Sequence, residues 1–222
     1  MATPRGGYYV NGKRVPSVTT IGGRLQDQSG LIYAAVKLAK AGIDYKTEWG
    51  WSAKVGTAAH FCAEEVLAGR ALPNRAAIAE HLQVKSIPDA RYDNIQMATR
   101  SFNRWLHQIG YTKPQLEVNL ISEEHGFGGT FDCLYETDKG YVLCDWKTSK
   151  LTTVDHMHQL AAYGILVEEH MGPVCGYNLV RIDKEYPDFH QHHWGDLTAQ
   201  KARFIKMLDV YRGLKEDEVR LK

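Results

Sequence analysis

The apolar residues of this chain follow two different rhythms, and the change between them falls near Pro114. Before it, apolar positions recur every three or four residues, the spacing of one helix face. Residues 31–41 fit such a helix and stop at Gly42, a second fits 52–68 and ends at Gly69, and 75–83 adds a third. A longer helix fits 91–109, with Ile95, Phe102, Leu106 and Ile109 on one face and Gly110 as its stop. Ahead of these, residues 8–21 read as a short hairpin turning at Asn11-Gly12, after which Ser17 or Thr19 can cap a helical start. Beyond Pro114 the segments 115–122, 128–136 and 140–147 are rich in β-formers. They are separated by Glu123-Glu124-His125-Gly126 and Thr137-Asp138-Lys139-Gly140, which are turn compositions. A helix fits 153–170 and ends before Gly172-Pro173, strands fit 174–182 and 188–194, and a last helix fits 196–213. That order predicts one α/β domain over residues 1–222, mainly helical over 1–110 and sheet-containing over 111–222.

Charge changes this picture little. The chain carries 27 Lys and Arg against 26 Asp and Glu, so no general positive coat exists and any contact with nucleic acid must come from a local patch. No apolar run approaches the roughly 20 residues of a membrane span. The opening Met1–Gly7 lacks the apolar core of a secretory signal, so a cytoplasmic protein without membrane association is expected. Cys62, Cys133, Cys144 and Cys175 include no Cys-x-x-Cys pair and lie in apolar stretches. They read as buried reduced thiols, with a zinc or iron–sulfur site as the alternative. His156, His158, His190, His192 and His193 crowd the C-terminal half without a recognisable zinc spacing.

The three β segments bring acids together. A two-residue loop at Asp138-Lys139 sets Asp132 opposite Asp145 in an antiparallel pair, and a loop centred on Glu124-His125 sets Glu117 opposite Asp132. Opposed residues share a face, so three carboxylates would stand in a row across neighbouring strands, although a one-residue shift at either loop would break the row. Like charges that close repel unless cations intervene. Lys147, two residues after Asp145, shares the acidic face, while Cys144 and Trp146 point into the core beneath. Taken alone, an Asp-x-Lys pair in a strand fits a solvated face with ordinary cross-strand salt bridges.

The wider pattern is more specific. Gly128-Gly129-Thr130-Phe131-Asp132 followed by Asp145-Trp146-Lys147-Thr148 resembles the RecB-like branch of the PD-(D/E)XK nucleases. That branch shows a glycine shortly before its first aspartate, Asp/Glu-x-Lys-Thr on the next strand and Gln-x-x-x-Tyr on the following helix, matched here by Gln159 and Tyr163. It also shows an upstream Gly-x-x-x-His-x-x-x-Glu helix, matched by Gly56, His60 and Glu64. Val15-Pro16-Ser17-Val18-Thr19-Thr20-Ile21 is similar to many phage-type exonucleases of this branch and to their mitochondrial relative. The pieces span most of the chain in the expected order. His60 and Glu64, like Gln159 and Tyr163, are four apart and share a helix face, and Gly56 leaves room for a close approach.

The resemblance implies a restriction-endonuclease-like core, a mixed central sheet flanked by helices, with the helical N-terminal half roofing the active site. It implies a deoxyribonuclease using one or two Mg²⁺ or Mn²⁺ ions. Asp132, Asp145, the backbone carbonyl of Trp146, and Glu117 directly or through water are the ligands it suggests. His60 would be a further ligand, tilting the preference towards Mn²⁺. Lys147 would orient or deprotonate the attacking water and stabilise the phosphorane charge. Gln159 would position Lys147 or the sheet end, and Tyr163 would pack on the nucleic acid. Lys54 and Lys150 are the better candidates for phosphate contacts. Trp49 and Trp51, just before the His60 helix, would stack bases at a channel mouth or staple two helices together. Iron–sulfur members of the branch carry a C-terminal cysteine trio that this chain lacks, so no cluster is expected.

A helical roof favours threading of a strand end, hence an exonuclease acting on linear DNA ends, single- or double-stranded. A restriction-like or structure-specific endonuclease with the same centre stays open, as does a non-catalytic nucleic-acid-binding protein that retains the fold. The resemblance leaves room for an oligomer and for a partner recombination protein. Phage recombination, DNA repair and host DNA breakdown all stay open as its setting, in a bacterial host cell if phage-encoded.

Overall fold

The computed structural model describes residues 7–109 and 114–221. The chain opens on a hairpin of β1 (Tyr8–Val10) and β2 (Lys13–Val15). Its two turn residues, Asn11 and Gly12, take φ of 49° and 75°, the left-handed pair a tight hairpin turn requires. Ser17 then caps α1 (Val18–Leu25), its Oγ accepting the Thr20 N–H at 3.0 Å. Helix α2 (Ser29–Lys40) stops ahead of Gly42, which sits at φ 71°.

Helix α3 (Tyr45–Leu67) corrects an expectation: it begins at Tyr45 rather than at 52. Asp44 is the cause, because its carboxylate accepts the amides of Lys46 and Thr47 and so starts the helix ahead of Gly50. Trp49 and Trp51 therefore lie inside the helix, not before it. Helices α4 (Arg75–His81) and α5 (Asp89–Leu106) follow the apolar periodicity, while Gly110, the expected stop, lies outside the described residues.

Strands β3 (Gln115–Ser122), β4 (Phe127–Thr137), β5 (Gly140–Lys147), β6 (Val174–Ile182) and β7 (Phe189–Trp194) form one sheet in the order β3-β4-β5-β6-β7. Only β5 and β6 run parallel, and α6 (Val154–His170) makes the crossover between them. Helix α7 (Thr198–Arg220) continues past 213, through Gly213, where the pattern had suggested an end. Ion pairs of Glu218 with Lys215 and with Arg24, both at 2.6 Å, support the added turns. The result is an α/β fold, a mixed sheet with helices on both faces. Helices α3 and α5 cover one face with Ala59, Ala63, Phe102 and Trp105 against Cys133, Cys144, Trp146 and Val180. Helices α1, α6 and α7 cover the other, packing Leu160, Leu166 and Phe204 around Leu134, Leu143 and Leu179.

The strand register is the one the turn residues dictate. Thr137 pairs with Gly140 and Cys133 with Cys144, while Ser122 pairs with Phe127 and Leu116 with Cys133. One pair drops out of the β3–β4 ladder, Glu117 and Asp132, with regular pairing resuming on either side. Glu117 takes φ 48° there. Side-chain alternation changes hand at this point. Leu116 and Cys133 pack towards α3 and α5, whereas Val118 and Phe131, two residues further along each strand, pack with the cluster around α6.

Two glycines fit β4 to its neighbours just before that break. Gly128 lies under the Tyr8 ring, and a Cβ on Gly129 would stand 2.7 Å from Cε1 of Tyr163. Gly129→Ala is therefore expected to destabilise the fold by about 1–3 kcal/mol, the range for overpacking a filled site, read as a lower thermal midpoint. An unchanged midpoint would show that Tyr163 yields freely.

Candidate active site

Strands β4 and β5 separate at Asp132. Their ladder runs from Thr137 and Gly140 only as far as Cys133 and Cys144. The next amide on the β4 side, that of Trp146, has lost its strand partner, and Asp132 Oδ2 accepts it at 2.7 Å. The carboxylate thus replaces a backbone acceptor, which ties Asp132 to the mouth of the split. Asp145 stands across the gap, and both acids are fully buried.

Two cationic or ionisable partners close on them. His60 reaches in from α3, with Nδ1 3.2 Å from Asp132 Oδ1, and Lys147 folds back so that Nζ is 2.6 Å from Asp145 Oδ2. Both contacts are short in distance but poor in direction. His60 Nδ1, Asp132 Oδ1 and both Asp145 oxygens have no well-aligned hydrogen bond, and neither has Glu117 Oε1. Orphaned buried acceptors of this kind are rare, because each forfeits its hydration.

The electrostatics follow. Burial pushes Asp145 up to about 6 against the pull of Lys147. Burial would raise Asp132 as well, but the nearby His60 charge, its hydrogen-bonding contact and Lys147 outweigh it and hold the group below the usual carboxylate range. Burial opposes protonation of His60, and the facing Asp132 overrides it and raises the imidazole. Glu117, pressed by burial and then by Glu64, is raised to about 7. Burial raises Glu64 too, against the opposing charge of His60.

Of the residues expected at the site, His60, Asp132, Asp145, Lys147 and the Trp146 backbone converge here, with Glu117 at its edge. Gln159 Nε2 donates to Tyr163 Oη at 2.7 Å. Tyr163 does not meet the expectation of packing on nucleic acid: it is 1% exposed, with its ring centroid 5.6 Å from that of Phe131. The bare Cα of Gly129 is what admits the ring into the core. Trp49 and Trp51 are also not at the centre. Trp49 lies edge-on to Tyr45 at 5.2 Å, Trp51 packs on the cluster around Val55, and Lys54 Nζ sits 5.7 Å over the Trp51 ring. At 1.5 Å per residue, Trp49 is about 16 Å along the helix from His60. Lys150 is 80% exposed and pairs with Glu185 at 3.1 Å.

Two further residues belong to the site. Glu64 carried a signal, its four-residue spacing from His60, but had no role attached. His156 lies at the start of α6, where its Nδ1 accepts the Thr153 amide at 3.1 Å. Burial and then the charge of Lys147 lower it to about 4, so it is a neutral imidazole beside that ammonium. No sequence spacing joins His156 to β5; only the crossover does. His192 stacks on Trp194 and meets His190 edge-on along β7, and His193 Nδ1 contacts Asn178 Oδ1 at 2.8 Å.

Among the described residues, no three His, Cys, Asp or Glu side chains converge tightly enough to chelate an ion as they stand. Lys147 accounts for part of this, since its ammonium occupies the cation position beside Asp145. The donor set nonetheless suits a hard divalent ion, with carboxylate oxygens and one imidazole nitrogen, all buried and without well-aligned hydrogen bonds. All four cysteines are free, and burial pushes Cys144 up to about 12, which leaves it an inert thiol.

Solved structures with a related course of the chain include a protein from Eubacterium rectale assigned as a candidate exonuclease. It is 12% identical with a TM-score of 0.48, over 70% of this chain and 64% of that one. The alkaline exonuclease of Laribacter hongkongensis, in complex with dAMP, is 14% identical with a TM-score of 0.45, over 79% of this chain and 95% of that one. No curated protein sequence matches the chain. A family model does match, covering residues 33–214 and so both the His60 helix and the Asp145–Lys147 strand: the chain belongs to the PD-(D/E)XK nuclease superfamily.

Proposed function

We propose that this chain is a divalent-metal-dependent deoxyribonuclease that works as an exonuclease on linear DNA. The observation that carries the proposal is the crowding of buried groups without well-aligned hydrogen bonds at the β4–β5 split: Asp132 Oδ1, both Asp145 oxygens and His60 Nδ1. Burying them with only poorly aligned ion-pair contacts costs stability, and a hard cation offsets that cost.

Asp132 and Asp145 would hold the ion, with His60 completing the set and Glu117 acting directly or through water. A strand residue turns its N–H and C=O to the same side, so the Trp146 carbonyl faces the gap in which its amide meets Asp132. When bound, the ion supplies Lewis-acid polarisation of the phosphate and of the attacking water. Lys147, exchanging Asp145 for that water, has its ammonium placed to orient it and to meet the charge that builds on phosphorus. The neutral His156 beside it adds no competing charge at working pH. Gln159 and Tyr163 tie α6 to β4 and so keep the face behind Lys147 rigid.

The preference for strand ends rests on what covers the centre. Helix α3 brings His60 down onto Asp132, and the β1–β2 hairpin is pinned above β4 by Tyr8 Oη, 2.9 Å from Thr130 Oγ1. A strand entering beneath two such elements is reached most easily from its end.

The test uses labelled linear and closed circular DNA with Mg²⁺, with Mn²⁺, and with EDTA in excess. Linear DNA should disappear from its ends with either ion, faster with Mn²⁺ given the imidazole ligand. Circles should resist, and EDTA should abolish cleavage. Activity retained in EDTA would eliminate the metal, and rapid linearisation of circles would replace the exonuclease with an endonuclease.

A further inference from the structure

Beyond Lys147 the surface opens into a groove of about 220 Å³. Its walls are the chain leaving β5, Thr148–Lys150, and the chain leaving β6, Arg181–Glu185. The two parallel strands end level with each other, since Lys147 pairs with Arg181. The carboxyl ends of adjacent parallel strands are a recurrent ligand position in α/β folds. Here they carry Lys150, Arg181 and Lys184, with the hydroxyls of Thr148 and Ser149 between them.

Lys184 is the unusual member. It is half-buried, its Nζ bonded to Ser52 Oγ of α3 at 2.9 Å, and among the described residues it has no carboxylate within ion-pair distance. Burial, and then the charge of Lys150, lower its affinity for a proton. Glu185 and Glu48 act on it only from beyond ion-pair distance, so this half-buried ammonium has no anion in direct contact. The loop that carries it is built to stay in place. The buried Ser101 Oγ lies 2.8 Å and 2.9 Å from the carbonyls of Asp183 and Tyr186, and Asn94 Nδ2 donates to the Lys184 carbonyl at 2.9 Å.

The acids of the groove do not fill that need. Asp183 is committed to Arg181 and to the amides of Glu185 and Tyr186. Glu185 pairs with Lys150 at 3.1 Å, but the partners are 51% and 80% exposed. An exposed pair of this kind is weak, so a phosphate can displace Glu185.

We infer that this groove is a phosphate subsite of the nuclease proposed above, holding backbone phosphates of the substrate strand next to the cleaved one. Lys184 is its interior anchor, Lys150 and Arg181 are its flanks, and Thr148 is a neutral donor. The inference rests on the nuclease reading for the identity of the ligand. Its geometry is independent of cleavage.

The test is fluorescence anisotropy of a labelled oligonucleotide in EDTA, where nothing is cut, over a range of salt concentrations. Lys184→Met keeps the bulk of the half-buried side chain, and Lys150→Ala alters an exposed one with no role in folding. Each should weaken binding roughly three- to tenfold and reduce the salt slope by about one. Lys139→Ala, in the turn at the opposite end of β5, should bind as wild type. Oligonucleotides with and without a terminal phosphate separate the two sources of the anion. Equal losses on both identify internal phosphodiesters, and a loss confined to the phosphorylated strand identifies the end group. Wild-type affinity and salt slope in both groove variants would overturn the subsite. Groove-dependent binding by a protein that cuts nothing would instead sink the nuclease reading and leave the groove standing.

Discussion

Replacing Lys147 with alanine is expected to slow DNA hydrolysis about 10²-fold or more, the scale of losing a charge partner for the transition state. The loss should fall on kcat rather than KM, because the ammonium sits inside the split, 11% exposed, and not on the route by which DNA arrives. Lys147→Arg should not rescue the activity. A guanidinium is planar and wider than an ammonium, and the slot beside Asp145 is already filled at 2.6 Å. Thermal unfolding controls for folding. A near-wild-type rate in Lys147→Ala, with the midpoint unchanged, would remove this residue from the chemistry.

Asp145→Asn should separate stability from activity in an unusual direction. Burial first, offset in part by Lys147, raises Asp145 to about 6, above its ordinary range in the unfolded chain. The folded state therefore holds this proton more tightly than the unfolded state. Its contribution to stability is greatest at low pH and is lost as pH rises from about 4 through 6. Glu117, raised to about 7, acts in the same sense over a slightly higher window. Asp132 is lowered and acts in the opposite sense, its stabilisation being lost only as pH falls through the acid range. Metal-free protein should consequently unfold more easily at pH 8 than at pH 5, by on the order of 1 kcal/mol from Asp145. Asp145→Asn should remove that penalty, raising the metal-free midpoint at pH 8 while abolishing cleavage and the stabilisation that Mn²⁺ gives. A variant less stable than wild type at pH 8 without metal would show that the pair with Lys147 outweighs burial.

Much of this centre could be read from the chain because strand pairing is arithmetic. Once Asp138-Lys139 and Glu124-His125 are accepted as turns, the opposition of Asp132 with Asp145 and of Glu117 with Asp132 follows, and the observed register is that one. Counting could not show that the ladders break at those same residues. That break depends on the left-handed turn at Glu117 and on the capture of the Trp146 amide by a side chain. The helices were less legible. The start of α3 depends on the Asp44 cap, which sits ahead of the apolar periodicity, and its position decided where Trp49 and Trp51 would fall. Tyr163 had the right spacing from Gln159 for a surface pair, but its burial is set by Gly129 on another element. His156 and Lys184 reach the site through a crossover and a loop, and neither leaves a period in the sequence.

The most direct measurement is calorimetric titration of Mn²⁺ into the wild-type protein and into an Asp132→Asn, Asp145→Asn double variant. The account predicts saturable binding at pH 8 that weakens towards pH 5.5, where Asp145 and Glu117 must give up protons to the solvent as the ion binds, and that disappears in the double variant. Equal binding by both proteins would mean that the β4–β5 split is not where this chain holds a metal, and the catalytic centre assigned to it would be wrong.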